Sequence, residues 1–169
     1  MAAKNGRTGR SAPLDTITGI LRGYADRAVF RGFSGPVAAG RKFKFSIVWR
    51  HARTFELVLD LGSGAGKGKL SFPVLLPRLP ANIYREFTAF VVARSAQELP
   101  EHRRIDSRKA RLATTIRRSD VAVSIAVLDG DYEYAVKKLI HFVQEVFLTF
   151  LSPHWEYQVE AFNLDPEGP

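Results

Sequence analysis

The segment Asp60-Leu61-Gly62-Ser63-Gly64-Ala65-Gly66 comes nearest to a chemical site in residue type and spacing. It follows the apolar run Phe55 to Leu59. Glycines at alternate positions clear side chains from a loop, so that backbone can come close to a bound group. Asp60, Gly62, Gly64 and Gly66 are therefore the cofactor-binding candidates, and the other reading of the same residues is a β-hairpin connection. A phosphate-binding Walker loop is excluded, because Gly66-Lys67 is followed by Gly68 where Ser or Thr is needed. A second cluster is the link from Pro100 to Asp106, where Glu101, His102, Arg103 and Arg104 bring an acid, an imidazole and two guanidiniums together. Such a set can hold an anion or move a proton, and its other reading is an exposed charged loop. A third set is Lys42, Lys44 and Arg50 on one strand with Arg111 and Arg117 on a later one, a positive sheet face of the kind phosphates use. The histidines at 51, 102, 141 and 154 show no metal-ligand spacing, and the absence of cysteine removes thiolate catalysis and disulfides. No catalytic residue and no metal ligand is assigned.

The elements that must position these residues follow from periodicity. Leu14, Ile17, Leu21, Tyr24 and Ala28 recur at helical spacing, after a basic arm at 1–13. Gly32, Gly35, Pro36 and Gly40 read as a loop. From Phe43 the period becomes two: Phe43, Phe45, Ile47 and Trp49 face one way and Lys42, Lys44, Ser46 and Arg50 the other. The same alternation recurs in Phe55 to Leu61 and in Leu70 to Leu76, which makes three strands in a meander. Pro73 cannot donate to a ladder, so the third strand lies at an edge or carries a bulge. A helix follows from Ile83 to about Leu99, capped by Asn82, and then strands at Leu112 to Arg117 and Val121 to Leu128, the second central. Asp131 caps a helix from Tyr132 to Leu151 whose apolar stripe is too wide for one neighbour to cover. A short amphipathic segment runs from His154 to Leu164, before an acidic frayed tail at 165–169.

The expected fold is thus α+β, an antiparallel five-stranded sheet with helices packed on one side, in the order α-β-β-β-α-β-β-α. One domain spans 14–164. With 46% hydrophobic and 25% charged residues the chain can build one core, and its most apolar stretch, Leu139 to Leu151, is too short and too polar to cross a bilayer. No signal-like apolar run follows the basic arm, and the expected compartment is the cytoplasm. The formal charge of +8 is uneven: residues 1–120 carry 23 Lys/Arg and 9 Asp/Glu, residues 121–169 carry 2 and 8. Such segregation suits a nucleic-acid face or two complementary protein surfaces. Stacking aromatics are absent from the basic face, because Phe43, Phe45 and Trp49 share the apolar one.

The Asp60 to Gly66 motif resembles the first motif of class I S-adenosylmethionine-dependent methyltransferases, which implies a helix after the loop and a parallel sheet. Lys69 to Leu76 reads instead as a strand. The element order from Leu14 to Leu151 resembles type III secretion chaperones and the YbjN-like proteins, small domains that bind other polypeptides or associate as dimers. That likeness implies a non-enzymatic, chaperone-like or regulatory interaction module, dimeric and without a cofactor, with a protein partner or a second copy of itself and no membrane. The alternatives are a nucleic-acid binder working through the basic face and a methyltransferase using S-adenosylmethionine.

Overall fold

The computed structural model describes residues 5–49, 53–62 and 67–166. Its elements are α1 (Asn5–Asp26), β1 (Gly32–Ala39), β2 (Lys42–Val48), β3 (Thr54–Asp60), β4 (Lys69–Leu76), α2 (Ala81–Ala93), β5 (Ala110–Arg117), β6 (Asp120–Val127), α3 (Tyr132–Glu145) and α4 (Trp155–Phe162), with a π-helical turn at Val146–Phe150 between the last two. The strands form one antiparallel sheet of six in the order β1-β2-β3-β4-β6-β5. The chain is α+β as its periodicity indicates, with one strand more than expected. That strand is β1, whose Gly32, Gly35 and Pro36 mimic a loop. Its pairing with β2 breaks between Ser34 and Val37, which is how an edge strand accommodates a proline without an amide to donate.

Several boundaries differ from those expected, for local reasons. The first helix begins at Asn5 and carries Pro13 inside it, ahead of the periodic residues that start at Leu14. Asn82 lies inside α2 and caps nothing; Pro80 stands at the cap, where it makes no side-chain hydrogen bond. The helix stops at Ala93 and gives way to turns that run on to Leu99. Pro73 sits on an interior strand, between β3 and β6, and its cost is taken up by an irregularity between Phe72 and Leu76. Asp131 does cap α3, its carboxylate accepting the Tyr134 amide at 3.0 Å.

Apolar side chains alternate onto one face of β2, β3, β4 and β6: Phe45 and Ile47, Phe55, Leu57 and Leu59, Leu70 and Phe72, and Val121, Val123, Ile125 and Val127 are all buried. Their cover comes from α1, α2, α3 and α4. Trp49 lies edge-on to Phe30 at 4.9 Å and to Phe147 at 6.0 Å. Phe147 also meets Phe55 and Phe162, so one ring in the π turn joins β3, the end of β2 and α4. On the other flank Phe87 and Phe90 of α2 pack on Phe142 and Phe150. The wide stripe of α3 and the turn after it is therefore mostly spent inside the chain, shared between the sheet and the neighbouring helices, with Leu148 left 53% exposed. Replacing Phe147 with Ala should lower stability by about 3–5 kcal/mol, the range for emptying a buried aromatic site. Urea unfolding followed by the fluorescence of buried Trp49 would measure it, and a loss under about 1 kcal/mol would deny Phe147 this central place.

Candidate interaction surfaces

The glycine motif forms a corner between antiparallel strands. Asp60 pairs with Lys69 across β3 and β4, so the loop leads into a strand running back, and the strand-loop-helix arrangement required by the methyltransferase motif is not formed. Asp60 Oδ1 accepts the Gly62 amide at 2.9 Å, and Gly62 has φ +67, a left-handed conformation that costs glycine little. Gly68 is needed for closeness: a Cβ there would lie 2.9 Å from the Asp60 carbonyl oxygen and collide with the Tyr132 hydroxyl. Asp60 and Gly62 thus turn a corner that α3 closes from the other side. Gly64 and Gly66 lie outside the described residues, as do Arg50 and His51.

The polar link before β5 is drawn together, but much of its charge is spent internally. Arg103 Nε lies 3.6 Å from Glu145, whose other oxygen pairs with Arg94. Arg94 also lies over the Phe90 ring at 4.4 Å, so this group ties α2 to α3. The carbonyl of His102 accepts a hydrogen bond from Lys138 Nζ at 2.9 Å, while its ring is on an exposed residue, and Arg104 reaches the Gln97 carbonyl at 3.4 Å. His102 and Arg103 therefore brace the link against α3, and Arg104 ties it to the turns that follow α2. His141 is exposed on α3, and His154 contacts Glu86 at 3.1 Å. Among the described residues no group of three or more His, Asp or Glu could hold a metal.

The basic strand residues are placed as the alternation requires, on the face opposite the helices. Ladder register sets that face out row by row. At one end lie Ala39, Lys42, Asp60, Lys69, Ala126 and Arg111, in the order of the strands. The next row is Val37, Lys44, Val58, Ser71, Ser124 and Ala113. Arg117 stands at the far end, paired in the ladder with Asp120. Lys42 and Arg111 are on the same row but four strands apart, roughly 19 Å at the usual inter-strand spacing. The four cations therefore share a face without converging. Sequence reasoning missed Lys69, Glu56, Asp60 and Asp120 as members of it. They are legible only once β4 and β6 are known to be neighbours. The middle of the face is floored by Val58, Ser71, Ser124, Ala113, Ala122 and Ala126, small groups where a solvated sheet ordinarily carries long polar side chains.

The two edges of the sheet differ. β1 is guarded by its bulge and by Pro36. β5 pairs with β6 through eight successive residues without a break. The Leu128 amide donates to Lys109 O at 2.9 Å, which fixes the phase of that ladder. By the alternation of antiparallel bonding, the N–H and C=O groups of Leu112, Thr114 and Ile116 point away from β6, and no other described element supplies partners for them. Ile116 is 42% exposed. Just before this strand Lys109 is spent between Asp129 at 3.1 Å and Asp131 at 2.9 Å, and it lies over the Tyr134 ring. No helix among the described residues is long and apolar enough to cross a membrane. Compared with known protein families, curated proteins and solved structures, the chain matches none.

The Lys109 cluster gives a pH signature. Its ammonium and the Tyr134 amide hold the Asp131 carboxyl below its ordinary range, the Asp131 amide and then Lys109 do the same for Asp129, and both acids raise Lys109. Depressed carboxyls contribute stability above their unfolded pKa near about 4 and lose it as pH falls through their folded values. Asp131→Ala should cost about 1 kcal/mol at neutral pH through loss of the cap, whereas Asp131→Asn should keep most of it. Lys109→Met should flatten the acid limb of the urea midpoint against pH. An unchanged limb would show that the cluster contributes nothing.

Proposed function

We propose that the chain is a non-enzymatic, chaperone-like module that binds an extended acidic stretch of another polypeptide as a seventh strand beside β5. The observation that carries this reading is the contrast between the guarded edge β1 and the unbroken, open edge β5. Exposed ladder groups are a template for strand addition, in which backbone bonds supply affinity and alternating side chains supply selectivity. Charge selects the partner. β5 carries Arg111 and Arg117 and no acid. A twofold pairing of β5 with its own copy centred on Thr114 would set Arg111 against Arg117 of the other chain, which disfavours self-pairing. A strand with carboxylates on the matching face gains in both places. The likeness of element order to the secretion chaperones and YbjN-like proteins supports the same reading, with β1 as an addition at the far edge.

A nucleic-acid partner has less in its favour. A uniformly anionic chain crossing the basic face would pass Asp60, Glu56 and Asp120, and among the described residues no aromatic ring stands there for a base to stack on.

The test uses fluorescently labelled peptides of alternating Glu and Val, and of alternating Lys and Val, with the full chain. The acidic peptide should bind, and more weakly as salt rises. Ile116→Pro, which removes one outward amide but no ladder bond, should weaken it about tenfold or more, the loss of roughly 1.4 kcal/mol. Arg111→Glu with Arg117→Glu should reverse the preference between peptides. Equal binding of both peptides, or an Ile116→Pro variant that binds like the parent, would remove the proposal.

A further inference from the structure

We infer that the bare face of the sheet is where two copies of this chain meet, sheet against sheet. This surface is separate from the β5 edge, because a strand is added in the plane of the sheet and a second sheet is stacked perpendicular to it. Size and composition fit. Six strands of about seven residues span on the order of 650 Å² per copy, from the usual strand spacing and rise, so a face-to-face pair buries roughly 1,300 Å², within the range of specific interfaces. A floor of Ser71, Ser124, Ala113, Ala122 and Ala126 lets two backbones approach closely. On the same face Val37 stays 64% exposed in the single chain.

The placement of charge identifies the occupant as a second copy. The face carries Lys42, Lys44, Lys69, Arg111 and Arg117 together with Glu56, Asp60 and Asp120, and an isologous contact requires both signs on one surface. Consider a twofold axis lying along the strands, midway between β3 and β4. Each row then faces its own reversed copy. Asp60 meets the second copy's Lys69, and Lys69 meets its Asp60. Lys42 faces Ala126, Lys44 faces Ser124, Val37 faces Ala113 and Val58 faces Ser71. No two like charges stand opposite each other in either of these rows. Asp60 Oδ1 is taken by the Gly62 amide, which leaves Oδ2 for the partner lysine.

Sedimentation velocity of the full chain over a concentration series should show a monomer-dimer equilibrium. Asp60→Lys alone and Lys69→Asp alone should each raise the dimer dissociation constant at least about tenfold, and the double exchange should restore it, since the pair is then rebuilt with its signs swapped. Ser124→Arg sets a guanidinium under the second copy's Lys44 in the middle of the face. It should abolish the dimer while circular dichroism and the melting midpoint stay near those of the parent, which separates loss of association from loss of fold. A parent chain that remains monomeric at every concentration overturns the inference. So does a dimer indifferent to Ser124→Arg, or a monomer that instead binds single-stranded RNA through Lys42 and Lys69. Failure of the Glu-Val peptide to bind would count against the β5 reading alone and leave this one standing.

Discussion

All described helices lie on one side of the sheet, and the rest of the molecule depends on how that side is filled. Burial of apolar area is the dominant favourable term in folding, and here it is gathered into one layer, between the inward residues of β2, β3, β4 and β6 and a lid made by α1, α2, α3 and α4. Beside the aliphatic residues of the lid, its rings gather at two places. Trp49, Phe55 and Phe162 converge on Phe147, while Phe87 and Phe90 converge on Phe142 and Phe150. Both gatherings draw on α3 and the π turn that continues it. An extra residue in that turn re-aims the side chains beyond it, which suits a segment that must fill two aromatic sites at different angles to the sheet.

The same one-sidedness sorts charge. In strands that bury one face, alternate residues must look outward, and the outward positions of β2, β4 and β5 are where Lys42, Lys44, Lys69, Arg111 and Arg117 fall. Several acids of the last third, at the start and at the end of α3, are engaged in holding elements together. Glu145 receives Arg94 and Arg103, and Asp129 and Asp131 receive Lys109. The long-range charge asymmetry along the chain is thus partly internal architecture. What the open face carries is a smaller set of mixed sign, in which Lys44 already lies 3.7 Å from Glu56.

How legible this was depends on the range of the interaction concerned. Strands β2, β3, β4, β5 and β6 announce themselves because each obeys a period of two over seven or eight residues, a local rule. β1 violates that rule with two glycines and a proline, and it becomes a strand only because β2 offers a ladder. The side of the sheet taken by Lys42, Lys44, Arg111 and Arg117 was readable from alternation, whereas their separation was not. Strand order depends on the crossover through α2 that sets β6 between β4 and β5, and nothing in residues 81–109 encodes that neighbour locally. The Asp60 to Gly68 corner shows the converse. Its glycines fit a cofactor motif in isolation, but the alternation from Lys69 to Leu76 already gives the hairpin reading; what no local rule gives is the closeness of Gly68 to Tyr132. Arg103 looked available for an anion because Glu145, its partner, lies 42 residues away.

The open face and the open edge coexist because they face different physical tasks. Backbone groups of Leu112, Thr114 and Ile116 lie in the plane of the sheet, while Arg111, Ala113, Thr115 and Arg117 stand out of it. A strand added beside β5 would extend each row by one residue, so its carboxylates would lie next to Arg111 and Arg117 on the face itself. In the proposed stacking only Lys69 has an acid facing it, so carboxylates beside Arg111 and Arg117 would offset two of the remaining cations and lower the repulsion between two positively charged chains. On the two proposals above, filling the edge would favour covering the face, and by reciprocity a covered face would strengthen an acidic strand at the edge. A single property of the described residues, a sheet whose helices pack on one side and whose β5 edge they leave open, would then couple two binding events through charge alone.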